Sequence, residues 1–179
     1  MTGVQPAIGK TYNMPPQPAD EAATTYLDAG TVSIGVEYRV VDPESLRQTY
    51  QGNAAQLAEL EERSPEGGFF AEGLSLHVVA KADGHEYLRF DLFDDPPHYH
   101  YNHPVVDGQY TNNVVDYDTA SNGPMLDWAL DRLRTRLPEM LRQAGGAAVA
   151  EQIDPGALGP VLTEVERLAR AATRPAGAR

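Results

Sequence analysis

Apolar and polar positions alternate without a break from Val32 to Val40. Val32, Ile34, Val36, Tyr38 and Val40 fall on one face, which predicts a strand with one buried side. Asp42-Pro43-Glu44 follows as helix cap, first helical residue and an acid suited to the positive helix end. Leu46, Tyr50, Leu57 and Leu60 continue as the apolar series of one helix, which Ser64-Pro65-Glu66-Gly67-Gly68 stops. A second helix is predicted to begin near Asn122-Gly123-Pro124, with Leu126, Leu130, Leu133, Leu137 and Leu141 as its stripe. Pro138 lacks a backbone donor and kinks or restarts it, and Gly145-Gly146 ends it. A last helix is expected around Pro160, carrying Leu162, Val165, Leu168 and Ala172.

Two more strands flank Ala82-Asp83-Gly84, and their register follows from the apolar pattern. A two-residue Asp83-Gly84 turn sets His77 opposite Phe90 and Leu76 opposite Asp91, which mixes the faces. A three-residue loop pairs Leu74 with Leu92, Leu76 with Phe90 and Val78 with Leu88. That register makes one clean apolar face and puts Gly84 where a positive φ is wanted. The opposite face then carries the pairs Ser75–Asp91, His77–Arg89, Val79–Tyr87 and Lys81–His85. Asp94-Asp95-Pro96-Pro97 reads as the next turn. With His98 resuming opposite Phe93, Tyr99 and Tyr101 join the apolar face, and His100 lies across from Asp91.

The first 20 residues hold Pro6, Pro15, Pro16 and Pro18 without apolar periodicity, the pattern of an extended arm. The tail from Thr173 reads the same way. No cysteine occurs among the 179 residues, so disulfides, thiolate nucleophiles and Cys-held metal clusters are excluded. Net charge is −12. It is concentrated in residues 1–126, with 19 acidic and 6 basic side chains, whereas residues 127–179 hold 7 and 8. An acidic body is a poor partner for nucleic acid or an anionic membrane and a plausible one for a neutral or basic protein surface. No apolar run approaches the roughly 18 residues of a membrane-spanning helix. No leader-type segment opens the chain, so a cytoplasmic location is expected.

All five histidines fall between His77 and His103. Under the derived register, one sheet face displays His77, Asp91, His98 and His100, with His103 able to swing in. Histidines two apart on a strand point the same way, as two imidazole ligands of one metal must. A carboxylate opposite can be the third ligand or can fix an imidazole tautomer. Two histidines and a carboxylate suit zinc or non-haem iron(II). Arg89 shares that face with His77 and repels a dication unless it is paired, and a mixed polar face is also what a half-solvated sheet shows. The fragment Pro97-His98-Tyr99-His100 resembles the opening of the cupin metal motif, but no Glu lies between Tyr101 and Gly108 and no second histidine motif follows. Asp116-Tyr117-Asp118 begins no EF-hand loop, because Ser121 stands where glycine is needed; starting at Asp118 instead leaves Ala129 where the bidentate Glu belongs. Phosphate-binding loops, dinucleotide fingerprints and a nucleophile elbow are absent from the sequence.

The expected fold is α+β: an antiparallel sheet of about four to five strands with helices packed on one face, plus an extended N-terminal arm. Residues 1–30 are read as that arm, 31–145 as the α+β core and 146–179 as a C-terminal helical segment and tail. For function, the first expectation is a small acidic accessory subunit that docks onto a protein partner, or onto copies of itself, with no chemistry of its own. The alternative is a metal-binding protein or metal-dependent enzyme using His98 and His100 with Asp91 or His103, and His77 and Arg89 as second candidates.

Overall fold

The computed structural model describes residues 8–94 and 96–172. The start of the expected arm, Asp95 in the predicted turn and the tail from Thr173 lie outside those residues. Seven strands form one antiparallel sheet: β1 (Lys10–Tyr12), β2 (Thr25–Ala29), β3 (Val32–Val41), β4 (Ala71–Ala80), β5 (Glu86–Phe93), β6 (His98–Val106) and β7 (Gln109–Asp116). Their spatial order is β1-β7-β6-β5-β4-β3-β2, so β3 to β7 form a meander closed by two edge strands from the N-terminal segment. The sheet therefore has seven strands where four to five were expected. The three unforeseen strands are β1, β2 and β7. The edge strands are short, and β7 carries Asn112 and Asn113 on opposite faces, so none has the alternation that marks β3. The β6–β7 turn nevertheless has an Asp-Gly signal: Asp107 and Gly108 have φ of 51° and 76°, the left-handed pair a two-residue hairpin turn wants.

Helices α1 (Pro43–Tyr50) and α2 (Ala54–Arg63) replace the single helix expected there. Gly52 and Asn53 separate them, and the Asn53 side chain accepts from the backbone of Ala55 and Gln56 to start α2. Asp42 caps α1 with Pro43 at its first turn, as the sequence implies. Further on come α3 (Thr119–Asn122), α4 (Met125–Thr135), α5 (Leu137–Gln143), α6 (Ala147–Ala150) and α7 (Pro155–Ala171). Pro138 begins α5 as a restart, and Asp118 caps α3 as expected of turn chemistry. Among the described residues no helix is long and apolar enough to cross a membrane.

The main core lies between the apolar sheet face and α4, α5 and α7. Ile34, Leu76, Val78, Leu88 and Phe90 meet Leu130, Leu133, Leu137, Leu141, Leu162 and Val165, all buried. Each such side chain contributes roughly 1.5–3 kcal/mol by leaving water. Phe90, Tyr99 and Trp128 pack as an aromatic group, with Tyr99 and Trp128 centroids 5.1 Å apart. Helices are not confined to this face. The α1–α2 pair closes over the opposite, polar face through a small second core of Met14, Tyr50 and Leu60.

Candidate metal centre

Alternation along β3 to β7 loads the polar face with chemistry. Glu37 and Arg39 come from β3, Ser75 and His77 from β4, Arg89 and Asp91 from β5, His100 and Asn102 from β6, and Asn112 from β7; all are buried. Burial of so many polar groups is tolerable only when they satisfy one another. The expected pairings of Leu74, Ser75, Leu76, His77 and Val78 with β5 all occur. Two details differ. A bulge after Val78 pairs Val79 with Glu86 instead of Tyr87 and sets Ala80, not Lys81, against His85, so that the loop runs over four residues, 81–84, instead of three. The bulge turns Tyr87 into the core and aims Glu86 at His77. The β5–β6 register is offset by two residues, so His98 lies opposite Asp91 and His100 opposite Arg89. An even offset preserves which face each side chain takes, and both histidines still reach Asp91.

Three donors converge there. His100 Nε2 is 2.9 Å and His98 Nε2 3.3 Å from the same Asp91 oxygen, Oδ2. All three donor atoms lie within 4.8 Å of one another. Behind the imidazoles stand acceptors: His100 Nδ1 donates to the Asn112 side-chain oxygen at 2.9 Å and His98 Nδ1 to the Pro96 carbonyl at 2.8 Å. These bonds place the ring protons on Nδ1 and leave each Nε2 to face the carboxylate. Ser75 donates to the other Asp91 oxygen, so Oδ2 alone is shared by both rings. Burial disfavours charge on His98, but the Asp91 carboxylate and the Pro96 carbonyl outweigh it and raise its pKa. Burial dominates at His100, whose pKa is lowered despite Asp91. Asp91, which burial alone would push up, is held well below the carboxylate range by hydrogen bonds from His100 and His98. With Nδ1 already donating, each Nε2 can share Asp91 Oδ2 only through a second ring proton or through a cation in its place. Tetrahedral ligand atoms with bonds of about 2.0–2.2 Å stand about 3.4 Å apart, close to the separations here.

The other histidine of this face is differently placed. His77 is fully buried, with Nε2 2.9 Å from Glu37 Oε2 and Nδ1 2.5 Å from Glu86 Oε2. Both nitrogens are committed, so His77 has none left for a metal. Burial works against its charge, yet hydrogen bonds to Glu37 and Glu86 raise its pKa. Arg89 completes the group through Glu86 Oε1 at 2.8–2.9 Å from its Nη2 and Nε. Arg89 therefore pairs with Glu86, and its charge is already balanced beside the Asp91 donors. His103 stands apart: its Nε2 bonds the Asn113 side-chain oxygen at 2.7 Å, and Gly145 and Pro104 are its neighbours. Of the expected ligands, the fold brings together Asp91, His98 and His100 and leaves out His103, His77 and Arg89. Glu37, Glu86 and Asn112 are the functional neighbours that sequence reasoning missed. Glu37 was readable from the alternation of β3, whereas Glu86 was hidden by the bulge and Asn112 by the unforeseen β7.

The N-terminal segment runs across this face. Lys10–Tyr12 pairs with Asn112–Val114, and Tyr50 donates to the Pro15 carbonyl at 2.7 Å. Arg89 and Arg39 both donate to the Gln17 carbonyl, at 2.8 and 3.3 Å. The segment leaves a cavity of about 220 Å³ above Asp91, His98 and His100, walled by Met14, Leu46, Tyr50, Leu60, Phe69 and Phe93. On its other side a groove of about 550 Å³ lies over Glu86, Tyr26 and Asn102.

Residues 26–169 match the family described as DUF7700, a domain of unknown function. The chain belongs to that family. Searches of the curated proteins and of the solved structures found no match. The matched span includes Glu37, His77, Asp91, His98, His100 and Asn112, and α1 and α2, so the candidate centre is part of the family domain; β1 and the Pro15–Pro18 strap lie before it.

Proposed function

We propose that this protein binds one divalent transition metal through His98 Nε2, His100 Nε2 and Asp91 Oδ2, and uses it on a small molecule admitted to the cavity above. One observation carries the reading: three donors converge on one point while both imidazoles are fixed from behind by oxygen acceptors. That backing is the usual support of a metal-bound histidine, since it sets the tautomer and makes the ligating nitrogen more basic. Three protein ligands leave at least one coordination position open, the arrangement of catalytic zinc and of non-haem iron(II) sites. A metal held there acts as a Lewis acid or lowers the pKa of a bound water. The docking reading loses ground because the described part of its arm, residues 8–20, is engaged with the chain's own sheet and with Tyr50.

Elemental analysis of protein purified without chelator tests the proposal. One equivalent of zinc or iron per chain is expected, lost in the double variant His98→Ala, His100→Ala and retained in Glu37→Gln. A chain that takes up no zinc, iron or cobalt from micromolar solution refutes it.

A further inference from the structure

Resting on the metal reading of Asp91, His98 and His100, we infer that the cavity above them takes a small, largely apolar carboxylate. Its carboxylate would occupy the open metal positions and its body the space between Met14, Leu46, Leu60, Phe69 and Phe93.

Size comes first. A volume of about 220 Å³ falls just below the roughly 300–1,000 Å³ of ordinary small-molecule sites, so the ligand it suits is small. Wall chemistry comes second. Away from the floor, most enclosing side chains are aliphatic or aromatic; the exceptions, Gln17 and the Lys10–Asp116 ion pair, already have partners, as does the Tyr50 hydroxyl in the Pro15 carbonyl. A polar ligand body would lose water there and find few partners, which costs affinity. Charge comes third. Glu86 balances Arg89, Glu37 balances Arg39, and Asp91 offsets only half of a dication. At least one positive charge is left at the floor, since both glutamates also face His77, and an anionic ligand offsets it. A carboxylate binds such a metal through one or both oxygens and fits a position walled by rings better than a bulkier, more strongly hydrated phosphate.

Cobalt(II)-loaded protein provides the test, because its visible bands change when an open position is filled. Titration with phenylacetate should give a saturable change at a concentration at least tenfold below that needed with acetate. Succinate and inorganic phosphate should be no better than acetate, and 2-phenylethanol should be weaker than phenylacetate. Leu60→Trp, which fills the cavity, should keep cobalt uptake and lose the phenylacetate advantage. Should that variant not fold, Phe69→Ala should still weaken phenylacetate several-fold and leave acetate unchanged. Cobalt bound normally with phenylacetate no tighter than acetate, or with succinate or phosphate preferred, overturns the inference and leaves the metal centre standing. Absence of cobalt uptake overturns both.

Discussion

His77 and His100 sit on one sheet face, both buried, both touching a carboxylate, and they do opposite things with their nitrogens. His77 lies between Glu37 and Glu86, and Arg39 and Arg89 close the group on either side. Each carboxylate there is shared between His77 and an arginine, and both ring nitrogens have a partner within the chain. His100 has an amide oxygen behind it and shares a single carboxylate oxygen with His98. Two imidazoles and one carboxylate present lone pairs to one point, and only a proton or a metal resolves that. Composition does not separate these two histidines; what stands behind the ring does.

The sharpest way to break this contrast is to remove each ring in turn. His77→Ala leaves Glu37 and Glu86 facing each other without their shared partner. Breaking a buried charged network in this way costs about 3–5 kcal/mol. Chemical denaturation of metal-free protein should show that loss, with a smaller one for His100→Ala, because Asp91 keeps His98 and Ser75. A larger loss at His100 would reverse the roles assigned here.

Metal addition should sharpen the same contrast from the other side. A ligand that binds only the folded chain, present at 100 times its Kd, adds about 2.7 kcal/mol. Zinc should raise the stability of the unaltered protein by that amount and of His98→Ala, His100→Ala by none. Glu37→Gln, though less stable, should still respond. An equal response in the double variant would place the metal elsewhere. Asn112→Ala tests the backing of His100 alone: loss of such support weakens metal binding about 10–100-fold, equivalent to about 1.4–2.7 kcal/mol. Competition against a zinc-sensitive dye reads this directly, and unchanged affinity would show that Asn112 does not orient the ring.

Much of this arrangement was legible in the chain. The alternation of β3 and the Ala82-Asp83-Gly84 loop set the faces of β4 and β5, and the faces put Asp91 with the His98 and His100 side chains. Face assignment survives an even slip of register, which is why the grouping of Asp91, His98 and His100 was legible although the β5–β6 offset was not. What was hidden depended on contacts between distant segments. The bulge beside Val79 obeys no local pattern, yet it alone delivers Glu86 to His77. β7 reads as polar on both faces because its inner residues serve the buried network instead of a greasy core. The N-terminal segment, Pro-rich and without periodicity, is ordered by Arg39, Arg89 and Tyr50, none of which its own sequence announces. The same dependence means that deleting residues 1–20 should destabilise the domain by uncovering Tyr50 and Leu60, where the sequence alone implied an extended arm outside the core.

The gentlest perturbation is pH, and it should move the two clusters in opposite directions. His77 has a folded pKa raised above 6.5. Its contribution to stability is complete below that value and is lost as pH rises through the folded pKa, at up to about 1.4 kcal/mol per pH unit for one proton. Glu86 has the reverse sign: held at about 2 against 4.5, it contributes above pH 4.5 and loses that contribution only as pH falls towards 2. Metal-free protein should therefore lose stability as pH is raised from 6.5, and His77→Gln should reduce that loss, leaving the part contributed by His98, whose pKa is also raised. Zinc affinity should rise over the same interval, because an imidazole ligates only after giving up its proton. Paired melts with and without zinc, at half-unit steps from pH 6 to 9, would display the two trends together. Parallel trends, or a metal-free loss undiminished in His77→Gln, would mean that the two histidine clusters are not the separate devices argued here.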